Sequence, residues 1–368
     1  MARTPLQPRK LKHTLVSRAL LDDLRSLHPG HKLPTVRQLM KRFGASQATI
    51  ARALDELKRQ GLISRKAGSG VYVERPRPVH GDYSVAVVVP DVSTTTSSLM
   101  LKGIEREFSA SGYRCVFWNG NRHFRRECAR IRAGGASIDG LIVNSRTHYV
   151  YNPAYIAFHA RLLKRHAWPM VMVDIPVPGL PAPFVGDDNY SAFHDLGALI
   201  ASANLADRLN MLVLEGSLIG MERLYGLRRG LRAAGGPVPR LQVVHANPRT
   251  LERRVKRFRL LNRRPGAGPR LLVNADPRFL PHLRSMLRQE KLKLPEELLL
   301  FSVCESRDLI NDHDLPFVAL VKPSEDVGAA AARAMKKLLA GQPCEPALRL
   351  PLTRIVPPEY RALLGMKT

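Results

Sequence analysis

The sequence predicts an α+β winged helix-turn-helix domain followed by an α/β domain of two lobes, each built on a doubly wound parallel sheet. Three observations support this. Three short amphipathic helical stretches and a glycine-rich hairpin come first, nine apolar runs then alternate with helical stretches from residue 84, and 368 residues exceed one ordinary domain. We expect domains at 1–74 and 83–368, joined by a proline-rich linker at 75–82 (RPRPVHGD).

The first domain consists of three helices and a wing. An apolar stripe with a 3.6-residue period covers Leu15 to Leu27. Thr35 caps a second helix that stops at Gly44, and Ser46 caps a third that ends at Gly61. The third carries Ile50, Ala53, Leu54 and Leu57 on one face, and LISRK-AGSG-VYVE reads as two strands around a turn.

The charge is strongly basic. The chain has 58 Lys+Arg against 31 Asp+Glu, a formal net charge of +27. Such a charge favours a polyanionic partner, and nucleic acid over a membrane surface. Residues 1–80 hold 17 Lys+Arg and 5 Asp+Glu, so we expect the polyanion to contact the first domain.

Cysteine usage and hydropathy favour the cytoplasm. The four cysteines are widely spaced, form no CxxC pair and are expected to be reduced: Cys115, Cys128, Cys304 and Cys344. The first twenty residues are basic and interrupted by prolines, so we expect no secretory signal. No run approaches the roughly 18 apolar residues of a membrane span.

The start of the third helix has the chemistry of a base-reading segment. Ser46, Gln47, Ala48 and Thr49 are short or amide side chains that let a helix N-terminus approach base edges in the major groove. Six cations surround this helix and would attract phosphates: Arg37, Lys41, Arg42, Arg52, Lys58 and Arg59. In the wing, Lys66 and Gly68 could meet the DNA backbone or minor groove.

The stretch KLPTVRQLMKRFGASQATIARALDELKRQGLISRKAGSGVYVE resembles the GntR-type winged helix-turn-helix. The family's Pro, Arg, Thr, Gly and wing signals occur here in order. The resemblance implies DNA contacts by Arg37, Gln47, Thr49 and Gly68. Gln47 stands where the family usually has Arg, which favours a base other than guanine or a weaker contact.

In the second domain the strand ends are polar. Ligands of open α/β sheets bind at the carboxyl ends of strands, so the residues following the apolar runs are the candidates. We expect a small polar effector to contact seven of them: Asp91, Ser93, Asn144, Asp188, Arg223, Asp276 and Glu305.

Much of 83–360 resembles the effector domain of LacI/GalR-type repressors, which has a periplasmic-binding-protein-like fold. The segments IDGLIV and VGDDNYSAFHDLG and the spacing Arg223-x-x-Gly226 occur in the family's order. The resemblance implies a homodimeric repressor, a pseudo-palindromic operator in double-stranded DNA, and a sugar-like effector held by Arg223. Ser302-Val303-Cys304-Glu305 replaces the family's Gly-Phe-Asp-Asp, so its sugar-binding Asp is missing.

Two alternatives stay open: an α/β enzyme with a DNA-binding head, and a ligand-independent or architectural DNA-binding protein with a degenerate effector domain. We find no P-loop and expect no catalytic residue, cofactor or metal. The segment 311–314 (NDHD) is contiguous and poorly suited to enclose one ion. The basic segment 249–264 is either a solvated helix face or an additional region of phosphate attraction.

Overall fold

The structure is a computed structural model. It describes residues 12–26, 30–59, 62–66, 68–74, 83–119, 129, 138–145, 152–166, 169–235, 241–257, 269–310 and 315–366. The predicted linker 75–82, the segment 311–314, Gly61, Cys128 and the end of the basic segment 249–264 lie outside these residues.

The N-terminal domain has three helices and a two-stranded wing: α1 (Lys12–Ser26), α2 (Val36–Phe43), α3 (Gln47–Arg59), β1 (Ile63–Lys66) and β2 (Gly70–Val73). The strands are antiparallel. Thr35 and the α2 residue Gln38 form a reciprocal capping box. Gly44 ends α2 with φ +55, a left-handed conformation that glycine adopts without strain. Both predicted caps of α2 are confirmed.

A small core fixes α3 against the other elements of this domain. Leu20, Leu39, Ile50 and Leu54 are buried together with the wing. The segment 30–33 adds to the wing sheet, since the Leu33 N–H donates to the Val71 carbonyl and the Val73 N–H to that of His31. The beginning of α1 departs from the predicted stripe, because Leu15 is exposed. The opposite face of α3 is therefore left for solvent or a partner.

Two six-stranded sheets form the second domain. Lobe 1 contains β3 (Ser84–Val89), β4 (Arg114–Asn119), β5 (Gly140–Asn144), β6 (Met170–Val173), β7 (Phe184–Asp187) and β13 (Ala347–Leu350). Lobe 2 contains β8 (Leu209–Leu214), β9 (Gln242–Ala246), β10 (Arg270–Asn274), β11 (Leu298–Cys304), β12 (Val318–Val321) and β14 (Thr353–Ile355). The orders are β13-β7-β6-β5-β3-β4 and β14-β12-β11-β10-β8-β9.

Helices flank both sheets. Lobe 1 carries α4 (Thr95–Ser109), α5 (Pro153–His166) and α10 (Ser324–Leu339). Lobe 2 carries α6 (Asn189–Ser202), α7 (Leu218–Ala233), α8 (Leu251–Arg257), α9 (Leu280–Gln289) and α11 (Pro358–Arg361). Within the described residues, no helix combines the length and the apolar character needed to cross a bilayer. The predicted two-lobed α/β architecture is confirmed.

Three strands were not predicted: β7, β13 and β14. They have three or four residues and lie in proline-rich sequence, so no long apolar run marks them. β13 and β14 are edge strands with partly exposed side chains, and β14 is the antiparallel one, paired with β12. The chain crosses between lobes after β7, after β12 and after β13, so the two lobes are interleaved in sequence.

Glycines set the distance between α6 and α7. A Cβ atom at Gly226 or Gly230 of α7 would clash with the backbone of α6. The two helices therefore pack backbone to backbone, which only glycine permits. Arg223 lies one turn before Gly226 on the same face, and this close packing brings it beside Asn189 at the start of α6.

Candidate functional site

The first turn of α3 presents a small polar surface. Ser46, Gln47 and Ala48 are exposed and Thr49 is half-buried. The Ser46 hydroxyl accepts a hydrogen bond from the Thr49 N–H (3.3 Å) and lies 2.9 Å from the Thr49 hydroxyl. Ser46 thus caps the helix, while Gln47 and Ala48 are unobstructed.

The cations around this turn fall into two groups. Arg37, Lys41, Arg52 and Lys58 are exposed and make no ion pair in the described part of the chain. Arg42 instead pairs with Asp23 (2.6 Å), and Arg59 pairs with Glu56. The first group keeps uncompensated charge, so it contributes more than the second to the local positive potential.

The wing lies beside α3. Arg65 of β1 pairs with Asp55 of α3 at 3.0 Å, which links the two elements. Gly68 has φ +70 at the exposed tip, and Lys66 next to it is exposed, with its Nζ 5.2 Å from the centroid of the Tyr72 ring. The wing tip thus places a glycine, which has no side chain, close to a lysine. We predicted that these two residues meet the DNA backbone or minor groove.

A cavity of about 970 Å³ lies between the lobes, at the carboxyl ends of their strands. Six of the seven predicted effector residues line it: Asp91, Ser93, Asn144, Arg223, Asp276 and Glu305. The seventh, Asp188, is not among the lining residues in the described structure. Its carboxylate instead caps α6 by accepting from the Ser191 N–H at 3.1 Å.

Arg223 is the most deeply buried charged group of the cavity wall, with 2% of its surface exposed. Its Nε donates to the Asn189 amide oxygen (2.8 Å) and its Nη1 to the Ala275 carbonyl (2.6 Å). Burial lowers the pKa of the guanidinium from its usual value, while nearby carboxylates oppose that shift. Neither hydrogen-bond partner is charged, so both orient the guanidinium without neutralising it.

Lys322 bridges the lobes beneath the cavity and was missed in sequence analysis. It follows β12, and its Nζ lies 3.5 Å from Asp174 Oδ1 and 3.4 Å from Asp187 Oδ2. Burial alone would lower the pKa of the ammonium, but these two carboxylates raise it, so Lys322 stays charged. Burial also raises the pKa of Asp187. Lys322 directly follows the apolar run FVALV (317–321), so the expectation that ligand contacts follow such runs would have identified it.

A direct hydrogen bond spans the cleft. The Thr96 hydroxyl at the start of α4 donates to Glu305 Oε1 at 2.6 Å. Glu305 is one of the four residues that replace the Gly-Phe-Asp-Asp motif of the LacI/GalR family, and here it links lobe 2 to lobe 1. Four further wall residues in lobe 2 were missed: Glu215, Arg249 and Arg278, which lie within four residues of a strand end, and His282, which lies in α9. No described His, Cys, Asp or Glu residues form a group that could hold a metal ion.

Residues 14–73 match the family model of bacterial regulatory proteins of the gntR family. An arabinose metabolism transcriptional repressor of Halalkalibacterium halodurans is 23% identical over 321 residues, covering 83% of this chain and 82% of the relative. A LacI transcriptional regulator from Lactobacillus brevis superposes with a TM-score of 0.58 at 21% identity, covering 74% of this chain and 99% of that one.

A LacI family regulator from Enterococcus faecium, solved with bound ribose, gives a TM-score of 0.59 at 15% identity, covering 74% of this chain and 96% of that one. These structures establish the fold of the second domain. The chain is a DNA-binding transcriptional regulator, whose N-terminal domain belongs to the gntR family and whose second domain has the fold of LacI family regulators.

Proposed function

We propose that this regulator is a cytoplasmic, homodimeric repressor that binds a pseudo-palindromic operator and is controlled by a small polar, sugar-like effector. The observation that carries the proposal is the polar cavity between the lobes, on the same chain as an unobstructed recognition helix. The relative named as an arabinose metabolism repressor and the ribose-bound neighbour support an effector of this chemistry. The proposal includes no catalytic step.

On the DNA side, Gln47 and Ala48 would contact base edges, and Ser46 and Thr49 would lie close to the DNA backbone. Arg37, Arg52, Lys66 and Gly68 would position the domain on phosphates. A glutamine amide can pair in two places with adenine, which makes Gln47 the main candidate for sequence selectivity. Two such domains, related by the two-fold axis of a dimer, would read two half-sites at a fixed spacing.

On the effector side, the ligand would bridge the lobes. Asp91, Ser93 and Asn144 would contact it from lobe 1, and Arg223, Asp276 and Glu305 from lobe 2. A ligand that prefers one lobe arrangement shifts the population toward it by its difference in affinity. In a dimer this shift would alter the spacing of the two DNA-binding domains and so release the operator.

The DNA proposal is tested with Gln47→Ala and Arg52→Ala on an operator selected from random sequences. At fixed salt, Gln47→Ala should weaken operator binding by about 1–3 kcal/mol and leave non-specific binding unchanged. Arg52→Ala should weaken both alike. Equal weakening of every sequence by Gln47→Ala, measured by fluorescence anisotropy, would show that α3 does not read bases in this way.

The effector proposal is tested by ligand-induced release of the selected operator. A ligand of the cavity should lower operator affinity in the wild type, with little effect in Asp276→Asn, where one wall contact is lost. The same ligand should raise the unfolding temperature by mass action. If millimolar sugars and nucleosides neither stabilise the protein nor release DNA, the ligand-independent alternative is favoured.

A further inference from the structure

Arg223 is a buried cation without a direct ion-pair partner in the described structure, and the carboxylates of Asp187 and Asp276 oppose the lowering of its pKa only from beyond that distance. Its two hydrogen-bond acceptors are an amide oxygen and a backbone carbonyl, and no carboxylate lies within ion-pair distance in the described structure. Nη2 has no partner among those residues, although Arg223 lines the cavity. A buried charge that lacks a direct counter-ion is costly, and an anion bound beside it would reduce that cost.

Each carboxylate on the cavity wall has a partner within the protein. Asp276 accepts two hydrogen bonds from the Arg278 side chain, both at 2.8 Å, and Glu305 accepts one from Thr96. Asp174 forms an ion pair with Lys322. Glu215 accepts a hydrogen bond from Asn247, and Asp91 accepts one from Ser93. Arg249 and His282, by contrast, have exposed side chains with no bonded partner in the described chain. The wall therefore offers a ligand two unpaired basic side chains and Nη2 of Arg223, besides carboxylate oxygens that can still accept hydrogen bonds.

Two long helices also begin at this cavity, one in each lobe. Thr94 caps α4 by accepting from the Ser97 N–H, and Ser217 caps α7 by accepting from the Gly220 N–H. Within the described structure, the N–H groups of the first two residues of each helix have no acceptor. Such groups, together with the helix dipole, favour an anion at the N-terminus.

We propose that the effector is a sugar carrying an anionic group, a phosphate or a carboxylate, which Arg223 receives with help from Arg249 and His282 on lobe 2. This inference rests on the proposed function, because it names the ligand class of the same cavity. The polyol part would contact Ser93 and Asn144 on lobe 1. A neutral pentose would leave Nη2 of Arg223 without a counter-ion, so the anionic form should bind more tightly.

The first test uses inorganic phosphate as the minimal probe on the full chain. Phosphate should raise the unfolding temperature of the second domain more than chloride at the same ionic strength. Arg223→Gln and Arg249→Ala should reduce this effect, and Arg249, being exposed, can be replaced without disturbing the core. Arg229→Ala, at an exposed position of α7 outside the cavity wall, is the matched control and should keep it. No phosphate-specific stabilisation of the wild type, or the same stabilisation in Arg223→Gln and Arg249→Ala as in the wild type, would overturn the proposal.

The second test compares D-ribose, D-ribose 5-phosphate and D-ribonate by calorimetry. At least one anionic form should bind about tenfold or more tightly than ribose, as one added charge-assisted hydrogen bond predicts, and the better of the two identifies the group. Ribose binding as tightly as both would contradict the inference. If ribose also releases the operator, the proposed function still stands. If the wild-type protein binds no DNA sequence selectively but is still stabilised by phosphate, only the proposed function is contradicted.

Discussion

The proposed DNA-binding face around α3 and the interlobe cavity are both rich in charge, but the charges are exposed on the first and the innermost are buried in the second. On the first, Arg37, Arg52 and Lys58 are exposed and have no ion-pair partner in the described structure. In the second, Lys322 is buried between two carboxylates. Exposed charges act at a distance and are screened by salt, whereas a buried charge must be compensated where it lies. Substitutions on the first should therefore alter DNA affinity, and substitutions in the second should alter stability.

The largest effect is expected for Lys322→Met. Removing the ammonium leaves Asp174 and Asp187 facing each other without a cation, which should cost about 3–5 kcal/mol of unfolding free energy. Lys102→Met removes an exposed lysine that pairs with Glu325 at 3.1 Å and should cost less than about 1 kcal/mol. Urea denaturation of both variants measures the difference. Equal losses would mean that burial does not distinguish these two ion pairs.

The next largest effect is a pH dependence of the unfolding free energy, caused by a buried histidine outside the cavity. His159 on α5 is fully buried, its Nδ1 lies 3.0 Å from the Tyr155 carbonyl, and burial lowers its pKa from 6.5 to about 4. The folded state therefore keeps the imidazole neutral, while the unfolded chain takes up a proton near its ordinary pKa. Stability that is present above pH 6.5 should fall by about 3 kcal/mol as pH falls to 4.

His159→Leu should remove this part of the pH dependence. His245→Leu, at an exposed position of β9, serves as the control and should retain it. Denaturant midpoints measured between pH 4 and 7 give the comparison. An unchanged pH dependence in His159→Leu would show that another group is responsible.

A smaller effect, on affinity rather than stability, is expected for Arg52→Ala. Loss of one phosphate contact should reduce the slope of log affinity against log salt by about one unit, for operator and random DNA alike. The unfolding free energy should change by less than about 0.5 kcal/mol, since the side chain is exposed. A salt titration by fluorescence anisotropy, with a melt of the same sample, would detect a departure from either expectation.

The smallest effect is expected for Arg42→Met. Its guanidinium pairs with Asp23 across α1 and α2, with 52% of the arginine side chain exposed. Exposed ion pairs of this kind contribute between about 0 and 1 kcal/mol. The unfolding free energy obtained from a thermal melt should fall by no more than that amount. A loss of unfolding free energy as large as that of Lys322→Met would remove the distinction between the two regions.

The sequence by itself determined the local features of this protein. Periodicity and capping residues predicted the three N-terminal helices because those signals act within one or two turns. Polar residues after apolar runs predicted five wall residues of the cavity, because parallel strands present their carboxyl ends at one edge of a sheet. The sixth, Arg223, lies within α7 and was implied by the LacI/GalR-like spacing. Short strands such as β7 were missed, since four residues among prolines give no readable period.

Only the tertiary structure decided which of these residues meet. Thr96 and Glu305 are 209 residues apart and are joined because α4 of lobe 1 begins opposite the end of β11 in lobe 2. Lys322 meets Asp174 and Asp187 because the chain crosses between the lobes beside them. The same geometry made Asp188 a helix cap rather than a wall residue. Periodicity reports the environment of each element, while such pairings depend on strand order and crossovers, which no local pattern encodes.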